Sequence, residues 1–239
     1  MTRLRLISWI VFAATAIPLV VRTCPPALSV SQSFAAEAAS GNANQPRPST
    51  GQALPELPSD SLSAQERLGS QIAEQNKDGD FLMVDKPIGK IILFENGKPV
   101  FSSAALTGES KTDRLPPGAL SKRFSQLGAL EDKVTPAGRF TVSRDFDSNY
   151  GPLFDVNEIQ GRDWTIAIHQ VYLGTPSERR AYRLQSPNHV DKHITHGCIN
   201  VTMETIRFLM DRLPKNRRAV LYVLPHDQSK TAEYLARPN

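Results

Sequence analysis

The sequence predicts a mostly β domain with one packed α-helix, and three patterns support this fold class. From Asp80 onward, short runs rich in β-branched and aromatic residues alternate with turn-forming residues. Asn96-Gly97 lies between two such runs and indicates a β-hairpin, because both central positions of a type I′ turn need positive φ. One stretch before Pro214 has the apolar periodicity of an amphipathic helix.

Six segments have the character of strands. They are residues 81–84, 90–95, 100–106, 139–142, 165–169 and 219–224. Pro99 follows the hairpin turn closely and cannot donate a ladder hydrogen bond, which predicts an edge position or a bulge there.

The helix is predicted between Thr202, a suitable N-cap, and Pro214, which lies just past its end. Its apolar residues follow the spacing i, i+3, i+4 and i+7, at Ile206, Leu209, Met210 and Leu213. This stripe predicts packing against a core, and we assign it no role in ligand binding.

Composition divides the chain into four parts. Residues 1–36 have the form of a signal peptide or an uncleaved anchor, and residues 37–79 of a flexible linker, within which a capping box at residues 63–66 predicts a short helix to about residue 75. Residues 80–225 are the predicted catalytic domain, and residues 226–239 form a polar tail. Inside the domain, residues 111–133 are a basic insertion, expected to be a solvated flap, with contact to substrate as the alternative, and helical at about 119–127.

The amino terminus is typical of an export signal. Arg3 and Arg5 precede a largely apolar run over residues 6–21, and small residues near Ala35 offer a cleavage site. This run has 16 residues, fewer than the roughly 20 that span a bilayer, so cleavage is favoured over a membrane anchor. The protein is therefore expected in the periplasm or cell envelope, with membrane attachment only if the segment stays uncleaved.

Net charge gives no support for nucleic-acid binding. Three of the 28 basic residues lie in residues 1–36, which hold no acidic residue, so 25 basic face 24 acidic side chains in the remainder. A nearly neutral chain lacks the basic surface that binds phosphate backbones.

A site is indicated around Cys198, because four of the five histidines lie in the 28 residues from 169 to 196. If the signal is cleaved, Cys198 is the only cysteine of the mature chain and cannot form a disulfide within it. A thiol is a weak nucleophile until a base takes its proton, and both His196 and the strand-borne His169 are candidate bases. Gly197 leaves space for a substrate carbonyl, and backbone N–H groups around it are candidate oxyanion donors.

Two other interpretations of this cluster remain open. Asp191, His193, His196 and Cys198 have spacings found in metal sites, although one cysteine with several histidines is an unusual zinc set for an exported protein. Cys198 would instead be an inert buried cysteine if the protein were a non-catalytic wall-binding module.

The run THGCIN at residues 195–200 resembles the signature of the L,D-transpeptidase family, whose catalytic domain is the YkuD type. IAIH at residues 166–169 is similar to the family's strand with its first histidine. TPAGRF at residues 135–140 is similar to its Thr-Pro-x-Gly-x-Phe turn, and residues 84–108 match in order and character. The resemblance spans about residues 80–225 and implies a β-sandwich with one packed helix.

The family's residue roles transfer to matching positions. The resemblance implies Cys198 as nucleophile and His169 as general base, with the backbone carbonyl of Gln170 orienting the imidazole. It further implies that His196 and Gly197 shape the oxyanion site, with support from Thr195 and Asn200. The 25 residues between His169 and Thr195 exceed the family's usual spacing, which predicts an enlarged loop over the site at residues 172–188. Three arginines in this loop are expected at the solvated surface, with contact to substrate carboxylates as the alternative; they are Arg179, Arg180 and Arg183.

The implied activity is cross-linking of peptidoglycan. Outside the cytoplasm, where ATP is absent, a new amide can be made by exchange of an existing one through a thioester on cysteine. The resemblance implies a tetrapeptide stem as donor, the side-chain amine of a second stem as acceptor, and no metal or organic cofactor. A hydrolase of the same fold, which trims stems or releases wall-linked protein, is the alternative within the enzyme class.

Overall fold

A computed structural model describes residues 61–236 of the 239-residue chain. The predicted signal segment, most of the predicted linker and residues 237–239 lie outside the described residues. None of the helices between residues 61 and 236 combines the length and apolar character needed to span a membrane.

Ten strands and four α-helices form within these residues. The strands are β1 (Phe81–Asp85), β2 (Lys90–Glu95), β3 (Lys98–Ala104), β4 (Thr107–Gly108), β5 (Gly138–Asp147), β6 (Gly151–Gln160), β7 (Thr165–Gln170), β8 (His193–Thr195), β9 (Ile199–Val201) and β10 (Ala219–Leu224). The helices are α1 (Ala64–Gln75), α2 (Arg180–Gln185), α3 (Met203–Arg212) and α4 (Thr231–Leu235).

Eight of the strands form one mixed sheet in the order β3-β2-β1-β10-β5-β6-β7-β9. The pairs β1–β10 and β7–β9 are parallel, and the other neighbours are antiparallel. A short parallel pair, β4–β8, forms a second sheet. The mostly β fold class predicted from the sequence is confirmed.

The hairpin between β2 and β3 is confirmed, since Asn96 and Gly97 have φ of 51° and 74°. Strand β3 lies at the edge of the large sheet, and the β2–β3 register shifts opposite Pro99. Both consequences expected of Pro99 are therefore present.

The central strands are buried on both faces. Leu82 and Leu221 pack in one core with α3, whereas Phe81 and Tyr222 face a second core against α1 and α4. Because side chains alternate along a strand, β1 and β10 fill both cores at once.

The helices differ in part from expectation. The capping box of Ser63 and Glu66 starts α1, and Thr202 caps α3, as predicted. The polar tail carries α4, whose Leu235 is fully buried in the second core. The predicted helix at 119–127 is wrong: the insertion forms three short 3₁₀ turns, at Ala119–Ser121, Phe124–Gln126 and Leu130–Asp132.

Strand β6 was not predicted. Its sequence contains Gly151, Pro152 and Asn157, which have low strand propensity. It forms because β5 and β7 pair with it on either side, so neighbouring strands override local preference.

Candidate active site

His169 and Cys198 are brought to one place by two parallel strands. His169 on β7 lies opposite Asn200 on β9, and Cys198 immediately precedes β9. Both side chains line one cavity of about 490 Å³. The cavity lies on the opposite side of the sheet from the core that contains α3, because the neighbouring Ile168 and Ile199 belong to that core.

The imidazole of His169 is bonded through both nitrogens. Nδ1 lies 2.7 Å from the carbonyl oxygen of Gln170, to which it donates, and Nε2 lies 3.0 Å from the amide nitrogen of Asn200. The ring of Tyr150 stacks on the imidazole, with centroids 4.2 Å apart.

His169 is only 3% exposed, and this burial lowers its pKa to about 4. The bond to Gln170 and the charge of Asp147 act in the opposite direction, and the charge of Arg180 acts in the same direction as burial. The imidazole is therefore neutral at physiological pH, with an unprotonated nitrogen available.

Cys198 is partly exposed at the cavity and is the free cysteine of the described residues. Its Sγ lies 3.9 Å from the carbonyl oxygen of Thr165. Burial of the sulfur raises the pKa of the thiol, while the backbone amide of Ala167 and the charge of Arg180 act against this rise. Thiol and imidazole thus rest as a neutral pair.

Thr195 organises the turn that precedes the thiol. Its hydroxyl donates to the carbonyl of Cys198 at 2.6 Å and accepts from the N–H of Gly197 at 3.1 Å. Since the Gly197 N–H is already bonded, it is not a free oxyanion donor here, in contrast to the expectation for this position.

A glycine is required at position 197 for steric reasons. Its φ is +126°, and a Cβ there would lie 2.6 Å from the carbonyl oxygen of Val134. The hydroxyl of Thr135 donates to the Gly197 carbonyl at 2.7 Å and accepts from the N–H of Gly108 at 2.8 Å. The turn at residues 135–138 therefore supports the turn at residues 195–198 directly.

His196 has no hydrogen bond to the residues of this network. It is exposed, and its ring lies 5.9 Å from that of Phe124 in the insertion. The structure therefore brings together six of the seven sequence-predicted site residues through direct bonds or a shared cavity and leaves His196 at its rim. The members of the group are His169, Gln170, Thr195, Gly197, Cys198 and Asn200.

The metal interpretation gains no support from the geometry. Asp191 accepts from Ser186 at 2.5 Å and His193 bonds Thr107 at 3.1 Å, whereas Cys198 faces the cavity. Within residues 61–236, no group of three or more His, Cys, Asp or Glu side chains is arranged to hold a metal ion.

The cavity walls contain residues that the sequence did not single out. Phe124 of the insertion and Trp164 line it, and the Trp164 Nε1–H donates to the carbonyl of Lys122 at 3.0 Å. The insertion is therefore a wall of the cavity, where the sequence predicted a solvated flap. Four carboxylates also line it: Asp145, Asp147, Asp155 and Asp163. The sequence gave no signal for them, because Asp145 and Asp147 on β5 and Asp155 on β6 come together by strand pairing, and Asp163 lies in the connection before β7.

The enlarged loop lies beside this cavity. The ring of Tyr172 contacts that of Tyr150 edge-on at 5.8 Å. Arg179 is exposed and stacks on Tyr182, whereas Arg180 is largely enclosed, with a side-chain exposure of 12%. The prediction that Arg180 lies at the solvated surface is therefore wrong.

Comparison with known proteins agrees with these features. Residues 79–221 match the family described as YkuD, L,D-transpeptidase catalytic domain. A comparison with curated protein sequences gave no match.

Three solved structures illustrate the structural likeness. A cysteine-to-serine mutant of the Enterococcus faecium L,D-transpeptidase aligns at 15% identity and a TM-score of 0.38, over 62% of this chain and 50% of that one. An L,D-transpeptidase from Mycobacterium smegmatis aligns at 13% identity and a TM-score of 0.37, over 61% and 58% of the two chains. One from Stackebrandtia nassauensis aligns at 13% and 0.36, over 68% and 67%.

The likeness therefore extends to half the length of the Enterococcus faecium protein. The family assignment rests on the sequence match, which covers more than half of this chain. The chain belongs to the YkuD family of L,D-transpeptidase catalytic domains.

Proposed function

We propose that this protein is an exported peptidoglycan L,D-transpeptidase that forms cross-links through a thioester on Cys198. The observation that carries the proposal is the shared cavity of Cys198 and His169, in which the imidazole is buried and keeps an unprotonated Nε2. Membership of an L,D-transpeptidase family supplies the reaction class.

In the first half-reaction, Nε2 of His169 exchanges its hydrogen bond from Asn200 for the proton of the Cys198 thiol, as sulfur attacks the carbonyl carbon of the donor amide. The C–N bond of the tetrahedral intermediate then breaks. The leaving amine takes the proton from His169 and departs as the terminal amino acid, D-alanine in a tetrapeptide stem. The stem remains on Cys198 as a thioester.

In the second half-reaction, the side-chain amine of another stem attacks the thioester carbonyl. His169 accepts a proton from this amine, and the C–S bond breaks to return the thiolate, which is reprotonated by the imidazolium. The product is an amide between two stems, and no metal or cofactor takes part.

The charge of the cavity supports an amine as acceptor. Four aspartates line it, and the pKa of Asp155 is raised to about 6 by burial and by its neighbour Asp145. A cavity of negative potential concentrates cationic groups such as a protonated amine. Asp155 lies opposite Ala167 on β7, on the face that also carries His169.

Purified tetrapeptide muropeptides test the proposal. We expect cross-linked dimers and free D-alanine from the wild type, and neither product from Cys198→Ala. Shortened stems without dimers would instead indicate the hydrolase. A thiol-directed acylating probe distinguishes both enzymes from a non-catalytic wall-binding module, because such a module predicts an unreactive Cys198. In protein without Cys24, labelling that persists in Cys198→Ala would exclude Cys198 as the nucleophile.

A further inference from the structure

Arg180 of the enlarged loop makes contacts that its two neighbouring arginines do not. Its Nη1 donates to Oδ1 of Asn200 at 2.8 Å, and its Nε donates to Glu178 at 2.6 Å. Its side chain is 12% exposed, compared with 30% for Arg183 one turn further along α2. Asn200 itself is fully buried.

These contacts fix which atoms of Arg180, Asn200 and His169 donate and which accept hydrogen bonds. A guanidinium has only donors, so the Asn200 atom facing Arg180 must be the carbonyl oxygen. The NH₂ group of Asn200 therefore faces His169, and because it also only donates, Nε2 must be the unprotonated nitrogen. Nδ1 then holds the proton and donates it to the carbonyl of Gln170.

We propose that Arg180 is a positioning residue that acts through Asn200 to hold His169 in its neutral Nδ1–H tautomer. The catalytic meaning of this role rests on the proposed function, in which His169 is the base.

Loss of the guanidinium would release the Asn200 amide. After a half-turn, Oδ1 of Asn200 would face Nε2, and the carbonyl of Gln170 would still face Nδ1. Two acceptors stabilise an imidazolium, which has two N–H donors, so His169 would take up a proton at higher pH. The base would then be blocked at pH values where the wild type keeps it free.

The charges around His169 also predict a higher pKa of His169 when Arg180 is lost. Arg180 on α2 opposes a positive imidazole, and Asp147 on β5 favours one. Tyr150, from the turn after β5, covers the ring, and Cys198 shares the cavity. Removal of Arg180 leaves Asp147 and the three other aspartates of the cavity as the charges nearby, so charge and amide rotation both raise the pKa of His169.

¹⁵N NMR of histidine-labelled full-length protein measures this tautomer and its titration. We compare the wild type with Arg180→Met, which keeps the aliphatic stem, and with the control Arg183→Met. Arg183 lies on the same helix and bonds the carbonyls of Glu178 and Asp191. We expect an unprotonated Nε2 in the wild type at neutral pH, a midpoint raised by about one pH unit or more in Arg180→Met, and no change in Arg183→Met.

A double variant tests whether Asn200 transmits the effect. In the Asn200→Ala background, Arg180→Met should raise the midpoint less than it does in the wild type. An equal rise in both backgrounds, an unchanged midpoint in Arg180→Met, or an Nε2–H tautomer in the wild type would each overturn the proposal. If Arg180→Met does not fold, Arg180→Gln takes its place; it removes the charge, so the midpoint of His169 should still rise, and an unchanged midpoint would overturn the proposal.

The readout is independent of the reaction. A protein with the expected NMR behaviour but no muropeptide turnover would keep the role of Arg180 and lose the proposed function. Muropeptide turnover together with an unchanged Arg180→Met titration would do the reverse.

Discussion

At the scale of single residues, the two central groups differ in exposure. His169 is 3% exposed and bonded at both nitrogens, whereas Cys198 is partly exposed and has one long contact to a carbonyl. In the proposed mechanism, the base is thus held in place before substrate arrives. Preorganised bases of this kind need little reorganisation in the transition state.

Replacement of His169 by alanine should leave a folded protein with slow acylation of Cys198. Loss of a general base lowers rates by about 10²- to 10⁴-fold. Single-turnover labelling with a thioester-forming probe measures the effect, with exposed His189→Ala as the matched control at the wild-type rate. A near-normal rate for His169→Ala would mean that another group is the base.

Gly197→Ala should destabilise the turn at residues 195–198. The new Cβ would lie 2.6 Å from the Val134 carbonyl, at a φ of +126° that L-residues rarely adopt. We expect a loss of about 1–3 kcal/mol in the free energy of unfolding, measured by urea denaturation, together with slower labelling of Cys198. Gly128→Ala is the control, since nothing lies within 4 Å of a Cβ there. Equal stability of the two variants would contradict this explanation.

At the scale of elements, the site depends on segments that are distant in sequence. Strands β7 and β9 align His169 and Cys198, and the turn before β5 supports the turn at residues 195–198 through Thr135. The same hydroxyl accepts from Gly108 on β4, so one buried side chain joins three segments. The insertion forms one wall of the cavity, and the Trp164 Nε1–H bonds this insertion by donating to the carbonyl of Lys122.

Thr135→Val tests this junction with almost no change of volume. The variant leaves the Gly108 N–H and the Gly197 carbonyl without their hydroxyl partner in a buried position. We expect a loss of about 1–3 kcal/mol in the free energy of unfolding and a slower rate of Cys198 labelling. Thr141→Val, whose hydroxyl donates to Glu158 at the surface, should change neither by a comparable amount. An unchanged labelling rate in a destabilised Thr135→Val would show that the junction supports the fold alone.

At the scale of the whole molecule, buried polar groups make stability depend on pH. Burial lowers the pKa of both His169 and His226 to about 4. Nε2 of His226 has no partner among the described residues, and Lys86 and His193 add positive charge nearby. Burial raises the pKa of Asp85 and Asp155 to about 6, and these groups favour the folded state in acid.

The histidines predict a loss of stability in mild acid. Below a pH of about 6.5 the histidines of the unfolded chain bind protons that the folded chain refuses until about pH 4, so the contribution of these histidines to stability falls as pH falls through this window. Asp85 and Asp155, whose pKa values are raised to about 6, act in the opposite direction over about pH 6 to 4, so the contribution of His226 is measured by comparison with a variant.

His226→Gln should therefore reduce the fall in unfolding free energy between pH 6.5 and 4.5, and exposed His189→Gln should not. Urea denaturation at a series of pH values gives the slopes. Equal slopes for wild type and His226→Gln would contradict a neutral, buried His226.

Much of the fold was predictable because it depends on local patterns. The hairpin at Asn96-Gly97, the helix after Thr202 and the capping box at Ser63 follow from short-range backbone preferences. The insertion and β6 were not predictable in this way. The insertion has the composition of a solvated flap but packs on Trp164, and β6 exists through its pairing with β5 and β7.

The sequence by itself determined the family, the mostly β class and the candidates Cys198 and His169, since motifs and local periodicity are properties of adjacent residues. Only the tertiary structure decided which side chains surround that pair. It bonds Arg180 to Asn200 and Asn200 to His169, and it gathers four aspartates in the cavity. The physical reason is that burial and strand pairing join residues far apart in sequence, and these neighbours set protonation and charge.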